Sequence, residues 1–379
     1  MADPTVDDPP APLGFRTLSR LGLLIAVAGA LIQLLLGVYY LAMAHSPSPH
    51  ELPVGIVGTA EQQAQLRDRL EANDDFVVEE YDDAAALTQA IERREAYGGV
   101  VFDGDSPTLH IASAASPAVA NLFRNQFTAA YQDQVDQQVA ALRDAGQPVP
   151  AEQVAALTAA PPVVDVVPLP EEDSAGSSLG FVIQALCLGG SIASLALGRL
   201  RSRTERSTLR GVGHAGLLVV YALASAGVAL LAMRLFGVGD GADHLTLFGG
   251  LALISLAITA STAASVAVFG ALGSLIGALY FTLGLIISGS SIAPEMLPPL
   301  GRTIGQLLPP GAGATVARDA LYFPDASTSG PFVVLGAFAA IGLLVVLVVN
   351  ASANRTRFPR LLGRGEADAE PSATASRGA

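Results

Sequence analysis

The chain has 379 residues, 51% of them apolar, with 34 acidic against 21 basic residues and a formal net charge of −13. All 21 basic residues are arginine. A phosphate-binding P-loop needs a lysine that reaches the β- and γ-phosphates, so this chain holds no nucleotide site of that kind. Its negative balance also gives no reason to expect a nucleic-acid partner.

Residues 1–20 read as a cytoplasmic N-terminal tail carrying Arg16 and Arg20. Residues 21–44 form the first apolar run, long enough to cross a bilayer core that needs about 20 helical residues. A signal peptide ending at Ala42-Met43-Ala44 is the competing reading. The run is much longer than the roughly 7–15 apolar residues of a signal sequence, so a retained span is expected.

Residues 45–176 are polar and contain 22 of the acids but only six arginines. The acidity of the chain is therefore local to this region, and a solvated acidic surface explains it more simply than a surface that collects cations. Short β-rich runs at 53–58, 76–81, 99–102 and 109–112 alternate with helical patterns at 60–72, 84–95 and 117–144. A further strand is expected at 163–167. Such alternation predicts a small α/β layer domain. It has no cysteine, so no disulfide holds it together. Its acidic pairs, such as Glu79-Glu80 and Asp82-Asp83, lack the Asp/Asn-Gly pattern of a calcium loop, and its histidines lack metal-type spacing.

Further apolar runs follow at 179–198, 216–236 and 332–349. Between them, residues 245–294 contain no charged side chain at all. Fifty residues are too many for one crossing and suit two, at 245–268 and 272–290, joined around 269–271. The fold class is thus an α-helical integral membrane protein with six transmembrane helices, and the α/β domain inserted between helices one and two. Positive residues stay cytoplasmic. Arg199, Arg201, Arg203, Arg206 and Arg210 lie in the loop between the second and third spans, and Arg355, Arg357, Arg360 and Arg364 follow the last. With six crossings both termini fall inside and the α/β domain outside, leaving residues 177–350 as the remaining membrane part and 351–379 as a disordered cytoplasmic tail.

The spans carry few polar groups. Gln33, Gln184, Ser255, Thr259 and Thr262 are candidates for a substrate path, although small and hydroxyl residues also serve simply to let helices pack closely. No Asp, Glu or Lys lies mid-span, which argues against ion-coupled transport. The lone Cys187 reads as a packing residue.

Residues 288–325 follow the fifth apolar run and are too apolar for an ordinary loop. Pro294 and Glu295 suit a helix start, and Leu297, Leu300, Ile304, Leu307 and Leu308 recur at helical spacing. Pro309-Pro310-Gly311 is expected to end that helix before a second one at 314–323. Two short re-entrant helices within 292–325 are predicted, with their leucines buried and Glu295, Arg302, Arg318 and Asp319 at the water boundary.

At these residues the chain resembles a family. A Ser-Gly ahead of Pro294-Glu295-Met296-Leu297-Pro298, then Leu308-Pro309-Pro310, then Ala317-Arg318-Asp319 and Tyr322, is similar to the end of type 2 ABC exporter permeases. The outer segments 52–58, 90–102 and 165–170 resemble those of the branch that includes the YhgE/Pip (phage infection protein) membrane proteins. The branch often has Pro-Ile-Glu-x-x-Pro where this chain has Ala293-Pro294-Glu295-Met296-Leu297-Pro298. The resemblance covers about residues 15–350. It implies a bacterial plasma-membrane permease, working as a homodimer or paired permease, with no cofactor of its own and ATP bound by a separate ABC ATPase subunit. It implies a coupling loop at Arg199, Arg201, Arg203, Arg206 and Arg210, for which the alternative is a topology signal and headgroup anchor. Pro294, Glu295, Pro298, Gln306, Pro309, Pro310 and Arg318 become candidate outer-gate residues, for which the alternative is a passive plug. An ATPase-independent envelope protein whose outer domain binds a ligand or partner is the other class of function the sequence allows.

Overall fold

A five-stranded sheet and a bundle of apolar helices make up the computed structural model, which describes residues 15–45, 47–70, 75–104, 106–144, 161–199, 208–284 and 286–351. The chain enters through helix α1 (Phe15–Ala44) and passes directly into the α/β domain. There β1 (Leu52–Val57), α2 (Ala60–Leu70), β2 (Phe76–Glu80), α3 (Ala84–Glu92), β3 (Gly98–Asp103), β4 (Ser106–Ile111), α4 (Pro117–Asp144) and β5 (Val163–Asp165) follow in order. The sheet order is β2-β1-β3-β4-β5. β1 is parallel to both β2 and β3, β3 and β4 form an antiparallel hairpin, and β5 adds parallel to β4.

The local chemistry explains these elements. β1 is buried along nearly its whole length, as a central parallel strand must be. The carboxylate of Asp83 accepts a hydrogen bond from the Ala86 N–H and starts α3, which buries Leu87, Ala90 and Ile91. β4 begins at Ser106 rather than Leu109, so Pro107 sits inside a strand instead of the expected turn. This is tolerated because β5 pairs β4 only from Leu109 to Ile111, and Pro107 borders β3 alone.

Among the described residues, five stretches are long and apolar enough to cross a membrane: Gly22–Met43, Ser178–Gly198, Gly211–Leu235, His244–Gly284 and Ser329–Ala351. They belong to α1, α5 (Ser178–Arg199), α6 (Thr208–Leu235), α7 (His244–Phe269) with α8 (Leu275–Gly284), and α11 (Ser329–Ala351). The 41-residue stretch is one segment by composition but two by path. Gly270 adopts φ 65° and begins a 3-10 turn, Gly270–Ser274. Beyond it Tyr280 Oη lies 3.1 Å from Ser261 Oγ, and a side chain at Gly273 would meet the Ser265 carbonyl at 2.1 Å. Residues 273, 277 and 280 thus face 265, 262 and 261 in reverse order, so α8 runs antiparallel to α7. The turn falls where the sequence places it. However, α8 spans only 10 residues, about 15 Å of rise, and the rest of the expected fifth span is irregular. Gly284 and the run Ser288-Gly289-Ser290-Ser291, with Gly289 at φ 76°, end the helix.

α7 is the centre of the bundle and packs against α5, α6, α11 and the short helix Pro309–Tyr322. The short elements differ from expectation in two respects. A 3-10 turn, Pro294–Met296, precedes α9 (Pro299–Gln306), and α10 runs Pro309–Tyr322. Pro309 and Pro310 therefore open the second helix rather than close the first, since a proline at the first helical positions lacks only an N–H that is orphaned anyway. Leu300, Ile304 and Leu307 are exposed, while Gly301 and Gly305 face inward and Arg318 and Asp319 are buried. The amphipathic rule assumes water outside. For a helix bordered by lipid, apolar side chains face out and small residues mediate the contact.

Candidate functional site

The domain and the bundle meet at a buried polar junction built from α3, the 3-10 turn, α9 and α10. α3 ends at Arg93, and Arg94 takes φ 57°, a left-handed conformation that turns its side chain away from the helix toward α10. Arg94 Nη1 donates to Asp319 Oδ1 at 2.5 Å, and its guanidinium carbon lies 5.7 Å from the centre of the Phe323 ring. The side chains of Arg94 and Asp319 are 14% and 4% exposed. Three residues on, Tyr97 Oη donates to Glu295 Oε2 at 2.5 Å. The His50 N–H donates to the Glu295 carbonyl at 2.8 Å, and Arg302 donates to the His50 carbonyl and to Glu51, each at 3.2 Å. Apolar contacts continue the seam, since Ala293, Met296 and Phe323 belong to the same core cluster as Leu52, Tyr97 and Ile111 of the domain.

A second layer lies toward the bundle. Gln306 Nε2 donates to the Ser288 carbonyl at 3.2 Å, and Arg318 donates to the Gly289 carbonyl at 2.8 Å and the Ser290 carbonyl at 2.7 Å. Thr315 Oγ1 in turn holds Gln306 Oε1 at 2.9 Å. Three consecutive carbonyls of the irregular 288–290 segment are thus satisfied by side chains of α9 and α10, as buried backbone requires. Apart from the more exposed Arg302–Glu51 pair, the junction balances the guanidinium groups of Arg94 and Arg318 against the carboxyl groups of Glu295 and Asp319. Burial opposes the charge on Arg94, but the Asp319 carboxylate, with Tyr97 and Glu295 nearby, outweighs it and moves the pKa above its ordinary value. Burial, with the Glu295 carboxylate beside it, pushes the Tyr97 phenol up, so it stays a neutral donor. Removing one member of a buried ionic pair costs about 3–5 kcal/mol, because the other is left uncompensated.

The candidate gate residues are therefore brought together: Pro294 is buried in the 3-10 turn, Pro298 caps α9, Pro309 and Pro310 open α10, and Glu295, Gln306 and Arg318 are bonded as above. Arg318 and Asp319 point to different partners, as adjacent helical residues must. The candidate path residues divide. Gln33 is exposed on α1, and Gln184 is half-buried with Nε2 lacking a partner among the described residues. Ser255, Thr259 and Thr262 are fully buried; Thr259 Oγ1 donates to the Ser255 carbonyl at 2.7 Å, and Ser194 Oγ donates to the Thr259 carbonyl at 2.9 Å. These three sit in the packing of α7, partly against α5. Of the candidate coupling residues, Arg199 ends α5 and Arg210 lies in the first turn of α6, whereas Arg201, Arg203 and Arg206 fall outside the described residues.

Arg94 and Tyr97 are functional candidates that sequence reasoning passes over. The only local signal is an Arg-Arg pair just before a strand, in a domain with few arginines. Their partners lie 225 and 198 residues away.

Comparison with known families places the chain. Residues 22–348 match the family model described as ABC-2 family transporter protein. No curated protein and no solved structure matches the chain.

Proposed function

This chain belongs to the ABC-2 family of transporter proteins, and from that membership we propose that it is an exporter permease, moving a hydrophobic or amphipathic substrate outward with energy from a separate ATPase subunit. It is a multi-pass membrane protein and the membrane component of a transporter. The observation that carries the energetic reading is the absence of Asp, Glu and Lys from the five apolar stretches, together with the absence of lysine from the whole chain. Ion-coupled carriers place ionisable groups inside the membrane, and a nucleotide site of the P-loop type needs lysine. The driving force then comes from another polypeptide.

The reversal at Gly270 supports six crossings, with the domain outside and both termini in the bacterial cytoplasm. This also puts the arginines before the first span, in the loop between the second and third, and after the last span inside. Within the family, the outer segments favour the branch related to the YhgE/Pip proteins. The chain works as a homodimer, because α1 exposes Gln33 in the middle of an apolar helix and no described residue of its apolar stretch is buried in one copy.

Affinity purification of the full chain from its native membranes in mild detergent tests this. A nucleotide-binding subunit should copurify, and ATP hydrolysis should appear in that complex and not in the chain alone. Recovery of the chain as a dimer with no such subunit would favour instead an ATPase-independent envelope protein acting through its outer domain.

A further inference from the structure

The junction does more than hold two parts together. Its contacts are arranged in series from the α/β domain, through the short helices, to the segment that closes the end of α8. Arg94 and Tyr97 leave the domain within three residues of each other and engage two different short elements, Asp319 on α10 and Glu295 in the 3-10 turn. The residue beside Asp319 is Arg318, which holds the Gly289 and Ser290 carbonyls. Gln306, at the end of α9, holds the Ser288 carbonyl. A shift of the domain therefore pulls on α10 through Asp319, and α10 carries Arg318 with it.

We infer that Arg94 and Tyr97 are positioning residues of the transporter, through which the α/β domain sets the place of α9, α10 and the 288–290 segment. This deepens the permease reading and rests on it for its role in transport, but the positional claim stands on the geometry alone. The domain is then the arm through which an event outside the membrane reaches the outer end of the bundle. Three features make the joint specific. Both contacts lie in the buried seam between the domain and the short elements, so water competes poorly for them. Arg94 adopts a left-handed backbone that directs its side chain across the seam. Its Nε has no partner among the described residues, so the guanidinium is held by Asp319 and the Phe323 ring and has capacity for one further bond if the seam moves.

The test uses the full chain in lipid nanodiscs, with the buried Cys187 changed to Ala and spin labels on two exposed positions, Gln89 of α3 and Leu300 of α9. Pulsed electron spin resonance then reads the distance between domain and short helix in the native state, which a merely stabilising contact would leave unchanged. Wild type should give one narrow distribution. Arg94→Gln, Asp319→Asn and the milder Tyr97→Phe should each broaden or shift it, and Arg94→Lys, which keeps the charge, should restore most of the wild-type distribution. Hydrogen exchange of residues 286–306 should rise about tenfold in the first two variants while β1 and β3 stay protected, showing that the domain remains folded. Unchanged distances in both Arg94→Gln and Tyr97→Phe would overturn the inference, as would exchange that rises equally in β1 and β3. Neither result depends on an ATPase. Its failure to copurify with wild type would sink the permease reading while leaving the positional result intact.

Discussion

Gly305 and Gly311 show most directly how single residues set this structure. A side chain at Gly305 would lie 1.9 Å from the Ile287 carbonyl oxygen, and one at Gly311 would lie 2.1 Å from the Gly305 carbonyl oxygen. Three backbone segments are stacked without side chains between them, so α9 is clamped between the end of α8 and the start of α10. Backbone cannot move aside as a flexible side chain can, and overpacking of a tight site costs about 1–3 kcal/mol or more. Gly305→Ala and Gly311→Ala should each lower the midpoint of thermal unfolding in detergent by several degrees. Gly336→Ala in α11, where nothing lies within 4 Å of the added carbon, should leave the midpoint unchanged or raise it slightly. Equal behaviour of all three would show the stack to be looser than described. The stack also fixes the corner at Pro309-Pro310-Gly311.

At the scale of elements, His110 makes the α/β domain sensitive to pH. It sits in β4, paired with Gly99 on one side and Val164 on the other. Its Nδ1 is buried without a partner among the described residues, and burial lowers its pKa from the ordinary histidine value. The unfolded chain therefore takes up this proton near pH 6.5, before the folded chain does. Since the unfolded state binds more protons below that point, stability is full above about pH 6.5 and falls as the pH drops. Hydrogen exchange of β3 and β4 amides, compared between pH 7.5 and 5.5 after correction for intrinsic rates, should show protection lost at the lower pH. His110→Gln should remove most of that difference, and an equal loss in the variant would assign it to carboxylates elsewhere in the domain. The elements themselves were largely legible, because period-2 and helical patterns separate cleanly in the domain: α4 matches its expected bounds of 117–144, and most other helices and strands agree to within a few residues. What the pattern missed has a physical origin. The rest of the expected fifth span is irregular beyond Gly284, and Leu300, Ile304 and Leu307 of α9 face outward, as an amphipathic stripe does where the surround is apolar rather than aqueous. The junction was half legible. Glu295, Gln306 and Arg318 stood out in a segment of known spacing, but Arg94 and Tyr97 reach them across a separation that no local pattern encodes.

For the whole molecule, the least explained surface is α1. Leu24, Leu31 and Leu35 are exposed by 67%, 54% and 69%, which suits a helix bathed in lipid. Gln33 is exposed as well, and a primary amide facing hydrocarbon without partners is unfavourable by several kcal/mol. On a helical wheel Gln33 shares its face with Ala26, Ala30 and Gly37, while Leu24, Leu31 and Leu35 lie opposite. Small residues at that spacing let two helices approach closely, and an amide within such a contact can bond across it for about 0.6–2 kcal/mol. In a symmetric dimer the same face meets itself, so each Gln33 can both donate to and accept from its mate. The contact is then a property of two copies, and one copy leaves the amide uncovered. Single cysteines placed along α1 in the Cys187→Ala chain should, on oxidation in native membranes, give crosslinked dimers at Ala26, Ala30 and Gln33, and little or none at Leu24, Leu31 and Leu35. Gln33→Leu should weaken the dimer in detergent while leaving insertion intact, because the helix becomes more apolar. Crosslinking on the leucine face, or at none of these positions, would place the dimer contact on another helix and leave Gln33 to a different partner.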